Sequence, residues 1–140
     1  MVQEIGLETP GEQAALYSAP PSREDLGLAA ALVADAEQNA ADGREQERLA
    51  VMARNLVVGV DNEQSRDELN QIAVWHYEQS AACFRRAVVG YESAAKIRRD
   101  ENKGRQCLEK AARAEKAAVL AELAAIELKG AAERAERRRE

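Results

Sequence analysis

All three prolines of this chain, Pro10, Pro20 and Pro21, fall within its first 21 residues. Because proline removes a backbone donor and clashes with the preceding helical turn, each one inside a helix costs about 3 kcal/mol. The remaining 119 residues contain none. Alanine, glutamate, arginine, leucine and lysine dominate that stretch, which is the composition of long helices. The sequence therefore predicts an all-α protein.

Residues 1–21 are predicted to form a flexible N-terminal arm, since glycine and proline interrupt any sustained period there. For residues 22–140 the sequence predicts an antiparallel three- to four-helix bundle with a long C-terminal helical hairpin. Ser22 and Asp25 have the spacing of a capping box at its start. A break is expected at Asp42-Gly43, and the predicted helices span 23–41, 44–60, 63–99 and 104–137.

Small and aromatic side chains alternate at steps of four and three along the third predicted helix. This aromatic seam consists of Ala73, Tyr77, Ser80, Phe84, Ala87, Tyr91 and Ala94. An alanine seam follows the same steps along the fourth helix, through Cys107, Ala111, Ala114, Ala118, Ala121, Ala125, Leu128, Ala132 and Ala135. Because alanine lets helix axes approach closely, we expect the two seams to face each other across a turn near Asn102.

The helix predicted over 44–60 has larger apolar residues at the amphipathic positions. Its expected buried stripe is Leu49, Met52, Ala53, Leu56, Val57 and Val60. The short hairpin of the first two helices is expected to pack on one end of the long hairpin. This arrangement predicts an uncovered, alanine-lined surface near residues 118–135.

The net charge of −5 is unevenly distributed. Residues 1–42 carry eight acidic side chains and one basic side chain, whereas residues 43–140 sum to +2. A nearly neutral helical body does not attract nucleic acid through bulk charge, so no nucleic-acid partner is expected. The chain lacks an apolar run of about 18 residues and the basic-then-apolar order of a signal peptide. We therefore expect no membrane insertion and a cytoplasmic location.

Catalytic and metal-binding patterns are missing from the sequence. His76 is the only histidine, and no phosphate-cradling glycine loop is present. In the predicted hairpin, Cys83 and Cys107 are offset by about thirteen residues, or roughly 20 Å, which excludes a disulfide between them. We expect no enzymatic activity, no cofactor and no metal site, and we interpret both cysteines as small buried or half-buried apolar groups.

The candidate partner-binding residues are Trp75, His76, Ala118, Ala121, Ala125 and Leu128. Trp75 and His76 fit either a helix–helix boundary or a ligand-facing aromatic patch, since an exposed tryptophan is costly unless it binds something. The leading hypothesis is a non-enzymatic protein-interaction module that accepts a partner helix or an extended peptide. The alternative is a coiled-coil-like building block that forms a homodimer through its alanine seam.

Two short strings resemble MIT (microtubule-interacting and trafficking) domains. Tyr77-Glu78-Gln79-Ser80-Ala81, followed by Phe84, Ala87, Val88 and Tyr91, resembles their second helix, and Arg113-Ala114-Glu115-Lys116 resembles their third. The resemblance covers residues 44–126, with 44–60 as helix one. It implies a three-helix bundle that binds tail motifs of ESCRT-III proteins in grooves between its helices. Tetratricopeptide-like hairpins use the same small–aromatic spacing and stay an alternative.

Overall fold

A computed structural model of the chain describes residues 20–98 and 101–139. Three α-helices account for nearly all of these residues, namely α1 (Arg23–Leu56), α2 (Glu63–Ile97) and α3 (Asn102–Arg139), with a 3-10 turn at Val57–Gly59. Strands do not occur in this part of the chain, so the predicted all-α fold is confirmed. Nearly all of the predicted arm, and the predicted helix end at Arg99, lie outside the described residues.

Side-chain caps fix where α1 and α2 begin. The Ser22 hydroxyl accepts a hydrogen bond from the Asp25 backbone N–H at 3.0 Å, and the Asp25 carboxylate accepts one from the Ser22 N–H at 3.3 Å. At α2, the Asn62 side chain accepts from the Ser65 N–H at 3.0 Å. Each cap satisfies a backbone donor that has no partner within the helix. The capping box predicted at Ser22 and Asp25 is confirmed.

Helix α1 continues through Asp42-Gly43, so the predicted break between helices 23–41 and 44–60 is wrong. A Cβ placed on the buried Gly43 would lie 2.9 Å from the Phe84 ring of α2. The Gly43 carbonyl also accepts a hydrogen bond from the buried Ser80 hydroxyl at 2.8 Å. The glycine is therefore a point of close approach between two helices and not a turn residue.

Helix α2 is the central helix, and it packs antiparallel to α1 on one side and to α3 on the other. Helices α1 and α3 touch each other at few positions. The aromatic and alanine seams meet between α2 and α3 as predicted. The central cluster that joins all three helices contains Ala36, Ala40, Phe84, Ala87, Tyr91, Ala111, Ala114 and Ala118.

Because α1 is one long helix, it follows α2 over most of its length. Ala29 packs near Ala94 at one end, and Ala50 packs near Tyr77 toward the other. Helix α2 in turn packs along α3 to the C-terminal end of α3. There Glu63, the first residue of α2, forms an ion pair with Arg139 of α3. The expected arrangement, a short hairpin that covers only one end of a long one, is therefore wrong.

Small residues form the core. Apart from Tyr77, Phe84 and Tyr91, the buried apolar side chains are alanines and the two free cysteines, Cys83 and Cys107. The prediction that both cysteines are buried is therefore confirmed. The apolar stripe expected over 44–60 is wrong at Met52 and Leu56, which are exposed. Ala53 is buried as expected, and the other three members of the stripe are half-buried, namely Leu49, Val57 and Val60. Alanine brings the helices close together, which leaves the larger aliphatic side chains outside the contact.

Arg85 of α2 joins two carboxylates of α3. Its guanidinium donates hydrogen bonds to Glu122 at 2.6 Å and to Glu115 at 2.8 Å. The bond from Arg85 lowers the pKa of Glu122 below its ordinary value of 4.5, and the bonds to both carboxylates raise the pKa of Arg85. All three side chains are more than two-fifths exposed, so solvent screens the pairs and limits their contribution to stability.

We expect the free energy of unfolding to fall as the pH drops through the lowered pKa of Glu122. Because the folded-state pKa lies below the unfolded one, the stabilisation is fully present above about pH 4.5 and is lost below it. Arg85→Gln should make this acid-dependent loss smaller, by the modest amount typical of solvent-exposed ion pairs. Urea unfolding between about pH 7 and pH 3 measures the difference.

Arg105→Gln is the matched control, because Arg105 is exposed and forms no ion pair with any described residue. It should keep the pH dependence of the original protein. Equal pH dependence in Arg85→Gln and the original protein would contradict the role of the Arg85 pairs.

Candidate partner-binding groove between α1 and α3

An open groove runs between α1 and α3 above the central helix. It exists because these two helices pack on α2 and barely on each other. Its volume is about 510 Å³, within the usual range of binding sites. Phe84 and Tyr91 of α2 contribute to its floor. The walls consist of Glu37, Ala40, Arg44 and Glu47 from α1 and Lys110, Arg113, Ala114 and Ala117 from α3.

The groove extends toward the N-terminal end of α1. A second depression of about 300 Å³ shares Glu37 and Lys110 with the first. Its other lining residues are Ala30, Val33, Ala34, Arg98, Lys103, Gln106 and Cys107. Along α1 the combined groove reaches from Ala30 to Glu47, about 26 Å at 1.5 Å per residue. This length accommodates almost five turns of a helix or about eight residues of an extended peptide.

Lys110 crosses the middle of the groove. Its Nζ donates a hydrogen bond to the Glu37 carboxylate on the opposite wall at 2.9 Å, and it lies 5.9 Å from the centre of the Tyr91 ring. The hydrogen bond to Glu37 raises the pKa of Lys110, and burial raises the pKa of Tyr91. Because the Lys110 and Glu37 side chains are 38% and 52% exposed, the pair contributes little and opens at low cost.

The groove is positively charged in a chain that is negative overall. Five basic and two acidic side chains line its two depressions, which gives a net charge of +3 against −5 for the chain. Lys110 pairs with Glu37, and Arg98 lies 3.5 Å from Glu101. The other three basic residues of the lining are Arg44, Lys103 and Arg113. They form no ion pair with any residue in 20–98 or 101–139. These cations are available to carboxylates of a ligand.

Trp75 and His76, two of the residues predicted to bind a partner, lie away from the groove. Trp75 is 54% exposed and stands edge-on to the His76 ring, with ring centres 4.9 Å apart. Trp75 precedes Phe84 by nine residues, which places it on the opposite face of α2. His76 is half-buried, and its Nδ1 lies 2.6 Å from Gln46 Oε1 of α1. The histidine therefore belongs to the boundary between α1 and α2, whereas the indole is on the surface.

The alanine seam is covered where the sequence analysis expected a free surface. Ala118, Ala121 and Ala125 are at most 4% exposed, because α2 and the cluster around Tyr77 pack on them. The prediction of an uncovered surface is wrong for these three residues. Leu128 packs half-buried against the same cluster, and beyond it Ala132 is exposed.

The sequence analysis missed the charged groove residues. Arg44, Lys110 and Arg113 come together only because α1 runs unbroken past Gly43 and stands opposite α3. A signal was present in the spacing of Ala29, Ala36, Gly43 and Ala50, which are all buried. Small residues at intervals of seven indicate one continuous helix with one packed face.

Over residues 20–98 and 101–139, no cluster of three or more histidine, cysteine, aspartate or glutamate residues is arranged to hold a metal ion. None of the three helices combines the length and the apolar character needed to cross a membrane.

Comparisons of the chain with family models, with curated proteins and with solved structures find no match. The function is therefore inferred from the groove and its charges.

Proposed function

We propose that this protein is a non-enzymatic protein-interaction module that binds a partner helix or an extended peptide in the groove between α1 and α3. The observation that carries this proposal is the separation of two helices along a common third helix. In a closed three-helix bundle α1 and α3 would pack on each other, whereas here a groove about 26 Å long takes the place of that contact. A partner helix in the groove would complete a four-helix bundle.

The lining suits a peptide with one apolar face and several carboxylates. Ala40, Ala114 and Ala117 keep the walls low, so that a partner backbone can approach closely. Arg44 and Arg113 stand on opposite walls, where they can fix the orientation of an acidic segment. The floor is shallow, which favours an affinity in the micromolar range, about −8 kcal/mol.

The resemblance to MIT domains agrees with this proposal. Such a module would serve membrane-trafficking assemblies by binding tail motifs of ESCRT-III proteins. Of the residues that carry the resemblance, Phe84, Tyr91, Arg113 and Ala114 line the groove. MIT domains turn just before the tyrosine that Tyr77 matches, whereas α2 is helical from Glu63 onward and is therefore longer than the resemblance implies.

Peptide selection tests the groove directly. Binders are selected from a random 16-residue peptide library against the full chain, and their Kd values are measured by calorimetry. Ala117→Trp places a bulky ring on the groove wall, and we expect it to weaken binding about tenfold or more, which is 1.4 kcal/mol. Lys116→Trp is the control, because Lys116 is exposed and does not line the groove. Failure to select any binder, or equal weakening by both variants, would contradict the proposal.

The second candidate function is self-association as a structural building block. Helix α2 of the same chain covers the alanine seam, so the seam is not free for self-association. The alternative is favoured instead by the outer surface of the three helices. Large apolar side chains are exposed there, among them Leu28, Met52, Leu56, Ile72, Trp75, Val89, Leu108, Leu123 and Ile126. Such side chains mark an association site where they form a contiguous patch. Light scattering separates the two functions, since a concentration-independent monomer that binds peptide excludes an obligate building block.

A further inference from the structure

We propose that residues 1–19 of this same chain occupy the groove between α1 and α3, so that an external partner must displace them. This regulation rests on the proposed function of the groove as a binding site. The observation behind it is that an acidic segment is attached to α1 next to the end of the groove that contains Arg98 and Lys103.

Charge complementarity identifies the occupant. Residues 1–19 contain Glu4, Glu8 and Glu12 and no lysine or arginine, which gives them a net charge of −3. The groove lining carries +3, and the cations that pair with no residue in the described part of the chain are distributed along its length. Residues 24–43 also contain no lysine or arginine, but they belong to α1 and form part of the groove wall itself. The attraction acts between partly exposed groups and therefore weakens with salt.

The length of the segment and the point where it joins α1 both fit. Ala30, the first lining residue of α1, lies seven positions after Arg23, or about 10 Å along the helix, and Glu47 lies about 36 Å along it. Nineteen residues extend to about 63 Å, enough to reverse direction and follow the whole groove. Pro20 and Pro21 prevent α1 from continuing backward as a straight helix, because each disfavours helical geometry in the residue before it.

Apolar groups of the segment match the small residues of the groove. Ile5, Leu7, Leu16 and Tyr17 are large, whereas the apolar residues of the groove walls are mainly alanine. Large side chains on one partner fill the space that alanine leaves on the other. A segment tethered by a short linker is present at about millimolar effective concentration, so even weak contacts keep the groove occupied.

Paramagnetic relaxation enhancement in the full chain tests this occupancy. Thr9→Cys provides an attachment point for a nitroxide label, since the native Cys83 and Cys107 are buried. We expect strong broadening of the methyl signals of Ala40, Ala114 and Ala117, with no broadening of the Trp75 indole on the opposite face of α2. Neutralising Glu4, Glu8 and Glu12 to glutamine, or adding about 0.5 M salt, should remove most of the broadening.

Three outcomes would overturn the proposal. They are no broadening in the groove, equal broadening on all faces, and groove broadening in chains without a nitroxide when these are mixed with nitroxide-labelled chains, which would assign the groove to a second copy. The library peptides separate this proposal from the proposed function. If residues 1–19 compete, the triple glutamine variant should bind them about tenfold more tightly. If the triple glutamine variant and the original protein bind the library peptides with equal affinity, residues 1–19 do not compete, and the groove remains a binding site. If neither protein binds these peptides, the proposed function is refuted.

Discussion

Replacing Phe84 with aspartate is expected to abolish the cooperative thermal unfolding transition of this protein. Phe84 is 5% exposed, its ring lies against Gly43 of α1, and it shares a cluster with Ala114 and Ala118 of α3. Removal of a buried phenylalanine ring costs about 3–5 kcal/mol, and an unpaired carboxylate in the same space adds several more. The sum approaches the 5–15 kcal/mol that stabilise a typical domain. Circular dichroism during heating measures the loss.

Val89→Asp is the matched control for Phe84→Asp. Val89 lies five residues farther along α2 and is 64% exposed, so the same charge remains in water there. We expect its free energy of unfolding to change by less than about 1 kcal/mol. Phe84→Leu should stay folded with a loss of about 1–3 kcal/mol, which provides a measurable value if the aspartate variant does not fold. An unchanged Tm for Phe84→Asp would contradict the central position of Phe84.

The sequence predicted the contact between α2 and α3 because the pattern there is regular. The aromatic seam from Ala73 to Ala94 is buried throughout, and the alanine seam is buried from Cys107 to Ala125. A helix between two neighbours buries a wide face, so its period is easy to recognise. The absence of proline after Pro21, together with the composition of long helices, was sufficient to predict the all-α class.

The sequence analysis failed where tertiary contacts override local preference. Glycine after aspartate is typical of a turn, yet Gly43 lies inside α1 because the Phe84 ring needs the space that a side chain would fill. Met52 and Leu56 were expected in the core because they are large and apolar, but the core of this protein selects small residues. The groove depends on which pairs of helices touch, and hydrophobic periodicity within single helices does not report that.

Replacing Gly90 with alanine is expected to destabilise the protein, although alanine is the better helix former. A Cβ on Gly90 would lie 2.9 Å from the Ala36 Cβ and 3.2 Å from the Leu32 carbonyl oxygen of α1. Neither atom can rotate away, because one is backbone and the other is fixed directly to it. Helix α1 must therefore shift, and overpacking of this kind costs about 1–3 kcal/mol. The loss exceeds the roughly 1 kcal/mol that alanine gains over glycine inside a helix.

The same substitution at Gly27 should have the opposite sign. Gly27 is exposed in α1, and no atom lies within 4 Å of the position that its Cβ would take. Gly27→Ala should therefore raise the free energy of unfolding by up to about 1 kcal/mol, through helix propensity alone. Urea unfolding of both variants, with equal m-values, measures the two changes. Stabilisation by both substitutions would mean that α1 and α2 do not approach closely at Gly90, and the groove built on that packing would have to be redrawn.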